Sequence, residues 1–330
     1  MKTLVTICVP TYNSEKTIGE TLESILNQSF KDIVVKIFDN ASTDRTVEIV
    51  QAAASRDPRV EVFEFKENVG AEGNFNRCLA AASGNYTAIF HADDLYEPDM
   101  VDRQVSFLER HPQCAAVAAQ ASIINESGKK IGLRFLPTAI GKEIETSFSF
   151  DELFSQVLNF GNFITCPSVM ARSEVYQHQI RIWDGANFGS SADLDVWLRL
   201  AKIGRFGLLT VPLMRYRVSE ASFTVRETKR RFSEHDFLKV LRTYSAKFSG
   251  GRGPASTARD IQFHEFKDVA ARRGNIIRAG RKDLAFPTFD GGKMKLLPLA
   301  LRSVYHFKFL AISYAVFALS GLLKILRLHK

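Results

Sequence analysis

The first ninety residues alternate short, β-rich apolar runs with amphipathic helical stretches, and this rhythm restricts the fold more than any other feature of the chain. Residues 3–9 predict a strand that Pro10 stops, and the helix after it places Ile18, Leu22 and Ile25 on one face. Further strands are predicted at 33–38, 60–65 and 86–90, with helices between them. This order is typical of a parallel α/β sheet, whose ligand crevice lies beyond the carboxyl ends of the strands.

The rest of the chain continues this pattern less regularly and then changes in composition. The elements predicted there are a helix at 98–111, strands at 115–125, 167–171 and 206–218, a short helix at 151–159 and an amphipathic helix at 193–203. Ser42 is expected to cap the helix that runs to about Ser55. From residue 224 the chain turns to basic helices broken at 249–254. We therefore expect a mixed, mostly parallel sheet flanked by helices, with a C-terminal helical extension.

Positive charge is concentrated in this extension. The net charge is +8, yet residues 226–330 hold 22 Lys and Arg against 8 Asp and Glu, whereas the first 225 residues hold 22 against 28. A basic tail of this kind predicts contact with an anionic surface, either phospholipid or nucleic acid.

The cysteines and the N-terminus indicate a cytoplasmic protein. Cys8, Cys78, Cys114 and Cys166 lie far apart without metal-finger spacing, so we interpret them as small buried side chains in a reducing compartment. The strand pattern begins at once, and we therefore expect no signal peptide.

Two adjacent carboxylates end the fourth predicted strand, in the run Phe90-His91-Ala92-Asp93-Asp94. Side by side in a buried place they raise each other's pKa, unless a cation lies between them and a ligand. A divalent ion that joins Asp93 to a nucleotide diphosphate would resolve this conflict, because hard cations prefer oxygen ligands. The alternative is that the pair caps the helix beginning near Pro98.

Five motifs, each weak alone, follow one another in an informative order. They are Val9-Pro10-Thr11-Tyr12-Asn13, Phe38-Asp39-Asn40-Ala41-Ser42-Thr43-Asp44, Asn68-Val69-Gly70 with Asn74 and Asn76, His91-Ala92-Asp93-Asp94, and Asp193-Leu194-Asp195-Val196-Trp197-Leu198-Arg199. Over about residues 3–218 the chain thereby resembles the inverting glycosyltransferase family 2. The resemblance implies a Rossmann-like GT-A domain over 1–223, with a nucleotide-sugar-binding half (1–112) and an acceptor-binding half (113–223), followed by the basic extension 224–330.

The resemblance also implies how the nucleotide is held. The turn after the first strand would line the base pocket, and Asp39 would accept the N3–H of uracil or thymine in a charge-assisted bond. The nucleotide-binding residues implied are Pro10, Thr11, Tyr12, Asn13, Asp39, Asn68, Gly70, Asn76, Ala92 and Asp93. Taken alone, residues 10–13 would be an ordinary strand-to-helix turn and Asp39 a turn residue.

The same resemblance assigns Mg²⁺ or Mn²⁺ to Asp93 and a supporting or donor-sugar role to His91, Asp94 and Arg217. The chain departs from the family where His91 replaces an acid and where Phe75 replaces an arginine. We interpret His91 as a hydrogen-bonding group, as a ligand of a softer ion such as Mn²⁺, or as a strand-end histidine satisfied by its surroundings.

Three arginines have open interpretations. Arg77 either takes over the charge missing at Phe75 or is a solvated helix residue. Arg215 and Arg217, at a spacing of two on the last strand, are expected to point one way. They would then approach the diphosphate or an anionic acceptor, or lie at a solvated edge.

Inverting transfer needs a carboxylate that takes the proton from the acceptor hydroxyl while a bound cation stabilises the leaving diphosphate. The resemblance places this base at Asp193, whose alternative role is to cap its own helix. Asp195 lies about 200° further around that helix and can pair with Arg199 at i,i+4, so we interpret it as structural.

Residues 309–323 form a fifteen-residue run without a formal charge, followed by Lys324, Arg327 and Lys330. Because a membrane span takes about 20 residues, we expect an interfacial or re-entrant helix that brings 296–330 to anionic lipid at the cytoplasmic face. A helix packed in a protein core is the alternative. Membrane contact would suit a lipid-linked acceptor.

We therefore expect a metal-dependent glycosyltransferase of polysaccharide biosynthesis that uses a UDP- or dTDP-sugar and a glycan or lipid-linked saccharide acceptor. A sugar-phosphate nucleotidyltransferase is one alternative, although residues 10–14 lack the Gly-rich loop of that class. A non-catalytic nucleotide-binding scaffold is another. No nucleic-acid partner is expected, because the basic tail has no recognisable motif with interleaved aromatic residues.

Overall fold

The computed structural model describes residues 4–219, 231–246, 248, 254–281 and 283–328. The chain forms two compact units. The sheet unit comprises Met1–Leu153 and Asn162–Val218, and the helical unit comprises Phe154–Gly161 and Ser219–Lys330. Most of the predicted break at 249–254 lies outside the described residues.

The first part of the sheet unit alternates strands and helices, as the sequence pattern predicts. Its elements are β1 (Val5–Thr11), α1 (Ile18–Leu26), β2 (Ile33–Asp39), α2 (Thr46–Ala54), β3 (Val60–Glu64), α3 (Gly70–Ala80) and β4 (Tyr86–Ile89). Strands β3, β2, β1 and β4 lie side by side in this order and are all parallel. Their carboxyl ends therefore meet at one edge of the sheet, with Thr11 opposite Asp39.

The second part of the unit completes a mixed sheet flanked by helices. Its elements are β5 (Leu95–Tyr96), α4 (Met100–Arg110), β6 (Cys114–Ile124), β7 (Lys130–Leu133), β8 (Glu145–Phe148), β9 (Met170–Arg172), α6 (Ser173–Val175), α7 (Gly185–Phe188), α8 (Ala192–Ile203) and β10 (Arg205–Arg217). Helix α5 (Phe150–Phe160) begins in this unit, and from Phe154 onward it belongs to the helical unit. The strand order is β3-β2-β1-β4-β9-β6-β10-β5, with β7 paired to β6 and β8 to β10. Strand β9 runs antiparallel between β4 and β6, whereas β10 is parallel to β6.

The core of this unit explains why its central strands are apolar throughout. Val5, Ile7 and Val9 of β1 are fully buried, because helices cover the sheet on both faces. Helix α1 contributes the predicted stripe, and its Ile18 and Ile25 are fully buried as well. Burial of such a side chain stabilises the fold by about 1.5–3 kcal/mol.

Two local predictions were wrong. Strand β1 does not stop at Pro10 but continues to Thr11. Its pairing with β4 already ends at Cys8, so the missing N–H of Pro10 removes no bond on that side. Ser42 does not cap α2, which begins at Thr46, because the Ser42 side chain bonds the carboxylate of Asp39 instead.

The predicted strand at 167–171 is shorter than expected. Residues Cys166–Ser168 form a 3₁₀ turn around Pro167, and strand β9 begins only at Met170. The proline cannot donate to a sheet ladder, which accounts for the late start.

The helical unit contains α9 (Asp236–Ser245), α10 (Pro254–Arg278), a 3₁₀ segment (Lys293–Leu301) and α11 (Val304–Leu328). Its core is a cluster of buried side chains, namely Phe263, Phe266, Val269, Ala270, Leu296, Leu299, Leu310 and Phe317. By length and composition, Val304–Lys324 of α11 could cross a membrane, and 28% of its most apolar window is buried in the protein.

Candidate active site

A chain of hydrogen bonds joins the loops after β1 and β2. The Ser42 hydroxyl and backbone N–H both donate to the carboxylate of Asp39. The Asn13 N–H donates to Ser42 Oγ (2.9 Å), and Thr43 N–H donates to Asn13 Oδ1 (2.8 Å). Asn13 has a φ of 50°, which asparagine adopts more readily than most residues. Asp39 is only 2% exposed, and its carboxylate has further lone pairs with which it can accept from a ligand.

The predicted base-pocket turn holds one buried and one open side chain. Thr11 is buried, and its hydroxyl has no hydrogen-bond partner within the described residues. Tyr12 is 48% exposed. Tyr12 directly follows Thr11, which pairs with Asp39, and an exposed ring can stack against a planar ligand.

Asn40 organises the loop before α3. Its Nδ2 donates to Asn68 Oδ1 (2.9 Å) and to the carbonyl of Gly70 (3.1 Å), and its Oδ1 accepts from Arg77 (2.9 Å). Gly70 has a φ of 77°, where a side chain would be strained. The Arg77 guanidinium lies 3.6 Å from the ring centre of Phe65. Arg77 is therefore anchored to this loop and is not a freely solvated helix residue.

Helix α1 holds the turn that follows β4. The hydroxyl of Thr17 donates to the carbonyl of Ala92 (2.9 Å), and the single O–H of Thr21 is shared between the carbonyls of Ala92 (3.0 Å) and Asp94 (2.9 Å). These bonds fix the backbone on both sides of Asp93, whose carboxylate is only partly buried.

Arg217 holds the same turn from the end of β10. Its Nε donates to the carbonyl of Asp93 and its backbone N–H to Asp94 Oδ1, both at 2.8 Å. Its Nη1 donates to the carbonyl of Glu126 (2.9 Å), and its Nη2 pairs with Glu20 (2.9 Å). The side chain is 7% exposed. The structure thus shows Arg217 bracing the turn, with its guanidinium committed to these protein partners.

Arg215 has a different environment from Arg217, although both were expected to point one way. Arg215 is exposed and pairs with Glu97 at 2.8 Å. Its guanidinium is likewise committed to a protein partner.

His91, Asp93 and Asp94 form a cluster in which one ligand atom from each residue lies within 4.8 Å of the others. His91 Nδ1 is 3.9 Å from Asp94 Oδ2. This oxygen and His91 Nε2 are buried and have no hydrogen-bond partner in the part of the chain that the structure describes. Unpartnered buried polar atoms are rare and call for an explanation, such as an ion. Two carboxylates and an imidazole are a donor set that fits a divalent cation.

Burial disfavours charge on two members of this cluster. It raises the pKa of Asp94 well above its usual value, as does the neighbouring Asp93 carboxylate, while Arg217 opposes the shift. Burial lowers the pKa of His91, against the pull of Asp93. A bound cation would favour the ionised carboxylate and the neutral imidazole, which are the ligating forms.

Asp193 lies in the first turn of α8, which begins at Ala192, so it is not the cap of that helix. Leu194 N–H donates to its Oδ1 (2.7 Å) and Asn162 Nδ2 to its Oδ2 (3.2 Å). Burial raises the pKa of Asp193 to about 6, although these two bonds and the Arg134 guanidinium pull it down. A carboxyl with such a pKa is mostly ionised at neutral pH and still basic enough to accept a proton.

The helix separates Asp193 from Asp195, as predicted. Asp195 is buried and its Oδ2 accepts from Arg199 Nε at 2.9 Å. Arg199 also donates to the carbonyls of Ile180 and Ile182 (2.9 and 2.7 Å). The predicted i,i+4 pair is confirmed, and it ties α8 to the segment before α7.

Asp193 and the acidic cluster both influence the pKa of one partly buried thiol, that of Cys166. Burial raises the pKa of Cys166, and the carboxylates of Asp193 and Asp94 both raise it further. Asp94, Asp93 and Cys166 also act together on the pKa of Tyr96, which burial raises. Ring contacts also connect the two places: His91 meets Phe75, Phe75 stacks on Trp183, and Trp183 meets Trp197 of α8 edge-on with ring centres 5.9 Å apart. The helix that carries Asp193 is thus joined to the acidic cluster, although the two are far apart in sequence.

Asn76 is occupied by a contact that the sequence did not predict. Its Oδ1 accepts from Trp183 N–H (2.7 Å) and its Nδ2 donates to the Trp183 carbonyl (3.2 Å). Trp183 stacks on Phe75 with ring centres 4.5 Å apart, and Phe75 meets His91 edge-on at 5.6 Å. Phe75 and His91, two of the positions that depart from the family pattern, thus touch each other.

Several positioning residues were missed by the sequence analysis. Asn40 follows Asp39 directly and could have been found as a second polar residue at the same strand end. Thr17 and Thr21 share an i,i+4 face of α1, which is a weak signal. Asn162 has no local signal, because it acts on Asp193, 31 residues further along the chain.

Known proteins resemble this chain in sequence. The family model described as "Glycosyl transferase family 2" matches residues 6–178. The Bacillus subtilis (strain 168) protein EpsE, named as a glycosyltransferase, is 30% identical over 234 residues, which cover 71% of this chain and 76% of EpsE. TuaG of the same organism, named as a teichuronic acid biosynthesis glycosyltransferase, is 30% identical over 206 residues, which cover 62% of this chain and 74% of TuaG.

Solved structures share the GT-A fold. TarS (1–349) of S. aureus in complex with UDP-GlcNAc superposes with a TM-score of 0.62 at 18% identity, over 84% of this chain and 76% of TarS. The mannosyltransferase PcManGT from Pyrobaculum calidifontis, in complex with GDP-Man and Mn²⁺, gives a TM-score of 0.54 at 16% identity, over 98% and 87% of the two chains. At these identities the likeness concerns the fold alone. Together with the family match and the identity to EpsE, it leads to one conclusion: the chain is a glycosyltransferase and belongs to glycosyltransferase family 2.

Proposed function

We propose that this enzyme is an inverting glycosyltransferase that moves a sugar from a UDP- or dTDP-sugar to a glycan or a lipid-linked saccharide. The observation that carries the proposal is the cluster of His91, Asp93 and Asp94, whose ligand atoms lie within 4.8 Å of one another and include buried atoms without a partner in the described part of the chain. Ring contacts from His91 through Phe75 and Trp183 to Trp197 connect this candidate diphosphate site to helix α8, which carries the candidate base Asp193.

Asp39 supports a pyrimidine nucleotide. Its carboxylate is held still by Ser42 and can accept the imide N–H of uracil or thymine. The exposed ring of Tyr12, in the turn after β1, would stack on the base. The TarS complex with UDP-GlcNAc is compatible with this choice. The PcManGT complex carries GDP-Man, so a GDP-sugar belongs in the test.

Asp93, with Asp94 and His91, would hold Mg²⁺ or Mn²⁺, as the unpartnered buried atoms of this cluster indicate. When bound, the cation would offset the negative charge that develops on the leaving diphosphate. The turn that carries Asp93 is already fixed by Thr17, Thr21 and Arg217. A preorganised turn of this kind needs little rearrangement when the donor binds.

Asp193 would take the proton of the acceptor hydroxyl as its oxygen attacks the anomeric carbon. Asn162 would orient the carboxylate of Asp193, because its Nδ2 donates to Asp193 Oδ2. The amide of Asn162 is itself fixed, since Ile164 N–H donates to its Oδ1 at 3.1 Å. Arg134 favours the ionised form of Asp193. Attack from the side opposite the leaving group inverts the anomeric centre.

The acceptor proposal draws on the relatives. TuaG is named for teichuronic acid biosynthesis, and a chondroitin synthase of Pasteurella multocida is 26% identical over 208 residues. Both names concern polysaccharides. We extend this to a surface glycan or lipid-linked saccharide built at the cytoplasmic face of a membrane, with residues 296–330 as the membrane contact.

The test is a thermal-shift panel with UDP-, dTDP- and GDP-sugars, each with and without Mn²⁺. We expect cation-dependent stabilisation by a UDP- or dTDP-sugar, since a ligand that binds only the folded state raises the melting temperature. Asp93→Asn should lose the dependence on cation, and Asp193→Asn should bind the donor but form no product. The exposed Asp102→Asn is the matched control.

Each alternative has its own outcome in this panel. Stabilisation by GDP-sugars alone would overturn the pyrimidine assignment. A response without Mn²⁺ that equals the response with it would overturn the metal role. Normal turnover by Asp193→Asn would remove Asp193 as the base.

A further inference from the structure

Helix α11 of the helical unit has two faces of different character. The buried positions follow one another at spacings of four and three residues, and they are His306, Leu310, Ser313, Phe317 and Ser320. This is the period of a helix packed along one side. Leu310 and Phe317 belong to the core cluster of the unit. One face of α11 is therefore already covered by protein.

Hydrogen bonds fasten this inner face along much of its length. Lys267 Nζ donates to the Tyr305 hydroxyl (2.8 Å), and Arg273 Nη1 donates to Ser320 Oγ (2.8 Å). Between them, the Tyr314 hydroxyl donates to the carbonyl of Lys293 (2.5 Å). A helix bound in this way cannot leave the unit without breaking all three bonds.

The outer face of α11 is largely apolar and is not covered by any of the residues that the structure describes. Leu319 is 49% exposed, Leu322 60% and Val304 83%. Between Lys308 and Lys324 the sequence has fifteen residues without a formal charge, and both lysines are exposed. The outer face consists of Val304, Phe307, Lys308, Ala311, Ile312, Ala315, Ala318, Leu319, Leu322 and Lys324.

The positive charge around this face favours an anionic binding partner. Residues 291–330 contain seven Lys and Arg and no Asp or Glu. A second copy of the chain would bring the same positive charges into the interface, and like charges oppose association. An anionic bilayer instead attracts the lysines and takes up the apolar side chains between them. Lipid also requires no hydrogen-bonding groups from this stretch.

Length alone would allow Val304–Lys324 to cross a membrane, although its uncharged stretch between Lys308 and Lys324 covers only about 22 Å of the roughly 30 Å hydrocarbon core. The environment of the two faces indicates a helix that lies on the bilayer. The inner face is committed to protein, so lipid can reach one side of the helix only. We propose that the outer face of α11 is an interfacial surface that docks the enzyme flat on anionic membrane lipid.

The experiment is sedimentation of the full chain with phosphatidylcholine vesicles that contain or lack phosphatidylglycerol. We expect binding that requires the anionic lipid and weakens with salt. Ile312→Glu with Leu319→Glu should weaken binding more than tenfold, because two charges then face the acyl chains. Ala255→Glu with Ala258→Glu adds the same charges at exposed positions of α10 and should retain most of the binding.

A second pair of variants keeps the test decisive if the glutamates disturb folding. Lys308→Gln with Lys324→Gln leaves the apolar face intact and should reduce affinity for anionic vesicles about fivefold per lysine. Retention on vesicles after washing in alkaline carbonate would show a spanning helix and overturn the proposal. So would equal binding of the Ile312→Glu/Leu319→Glu protein, or a dimer in solution that this variant abolishes. None of these readouts depends on which sugar is transferred, so they fail or succeed independently of the enzymatic assignment.

Discussion

Replacement of Asp193 by asparagine should stabilise the sheet unit at neutral pH while it abolishes sugar transfer. Burial raises the pKa of Asp193 from 3.8 to about 6. A difference of about two pKa units, at 1.36 kcal/mol per unit, makes the ionised form cost about 3 kcal/mol in the folded state. The side chain is only half-buried, and solvent screening lowers the expected gain to about 1–2 kcal/mol.

The stability gained by Asp193→Asn must depend on pH in a defined direction. Below pH 3.8 the carboxyl is protonated in both the folded and the unfolded chain, so Asp193 imposes no cost. As the pH rises from 3.8 to about 6, the unfolded chain releases the proton first, and the folded state loses stability. Above about pH 6 the cost is constant. Asp193→Asn removes it, so the variant's advantage should grow across this window and then level off.

The assay is thermal or urea unfolding of wild type and variant between about pH 4 and pH 8, where 1 kcal/mol corresponds to roughly 2–4 °C for a unit of this size. Asp102→Asn, an exposed aspartate of α4, should show no such growth. An advantage that is independent of pH, or a variant less stable than wild type at pH 7, would refute the argument from burial.

Three further outcomes are expected. Asn162→Ala removes a hydrogen bond that lowers the pKa of Asp193. The acid limb of the pH profile of kcat/KM should therefore move to higher pH by as much as about one unit. An acid limb at the same pH in the variant would contradict the role of Asn162 in setting the pKa of Asp193. Arg217→Ala should lower the free energy of unfolding in urea by about 2–4 kcal/mol, because carbonyls such as that of Asp93 lose their hydrogen-bond donor. Arg217→Lys should restore little of this stability, because lysine lacks the planar guanidinium with its several donors. His91→Asp should reduce the preference for Mn²⁺ over Mg²⁺ in calorimetric titrations of the metal alone; an unchanged ratio would show that His91 is no ligand.

The strand and helix order of residues 3–112 could be predicted because each element carries its own signal. The apolar runs of β1, β2 and β4 and the stripe of α1 are local patterns, and the structure bears them out. The carboxyl ends of parallel strands meet, so the loops at Asp39 and Asp93 could also be placed at one edge of the sheet. The Asp195–Arg199 pair follows from helix geometry alone.

What could not be predicted depends on contacts distant in sequence. Arg217 braces a turn 124 residues before it, so its bonds to Asp93 have no local signature. The sequence does not tell whether the amide of Asn76 binds a ligand or the protein itself. In the structure it binds the backbone of Trp183, 107 residues further along the chain. The prediction that Ser42 caps α2 is wrong because its hydroxyl donates to the carboxylate of Asp39 and not to the helix.

The bracing of the Asp93 turn by Arg217 has a consequence for the order of events during synthesis. All the proposed donor-binding residues up to Asp93 leave the ribosome well before Arg217, which is the last residue of β10. At about 5–20 residues per second, the gap of 124 residues lasts roughly 6–25 s. During this time the nascent chain carries the acidic turn without its brace. Prematurely terminated chains keep the bonds of Thr17 and Thr21 to this turn but lack those of Arg217, so they should bind the nucleotide sugar more weakly than the complete enzyme.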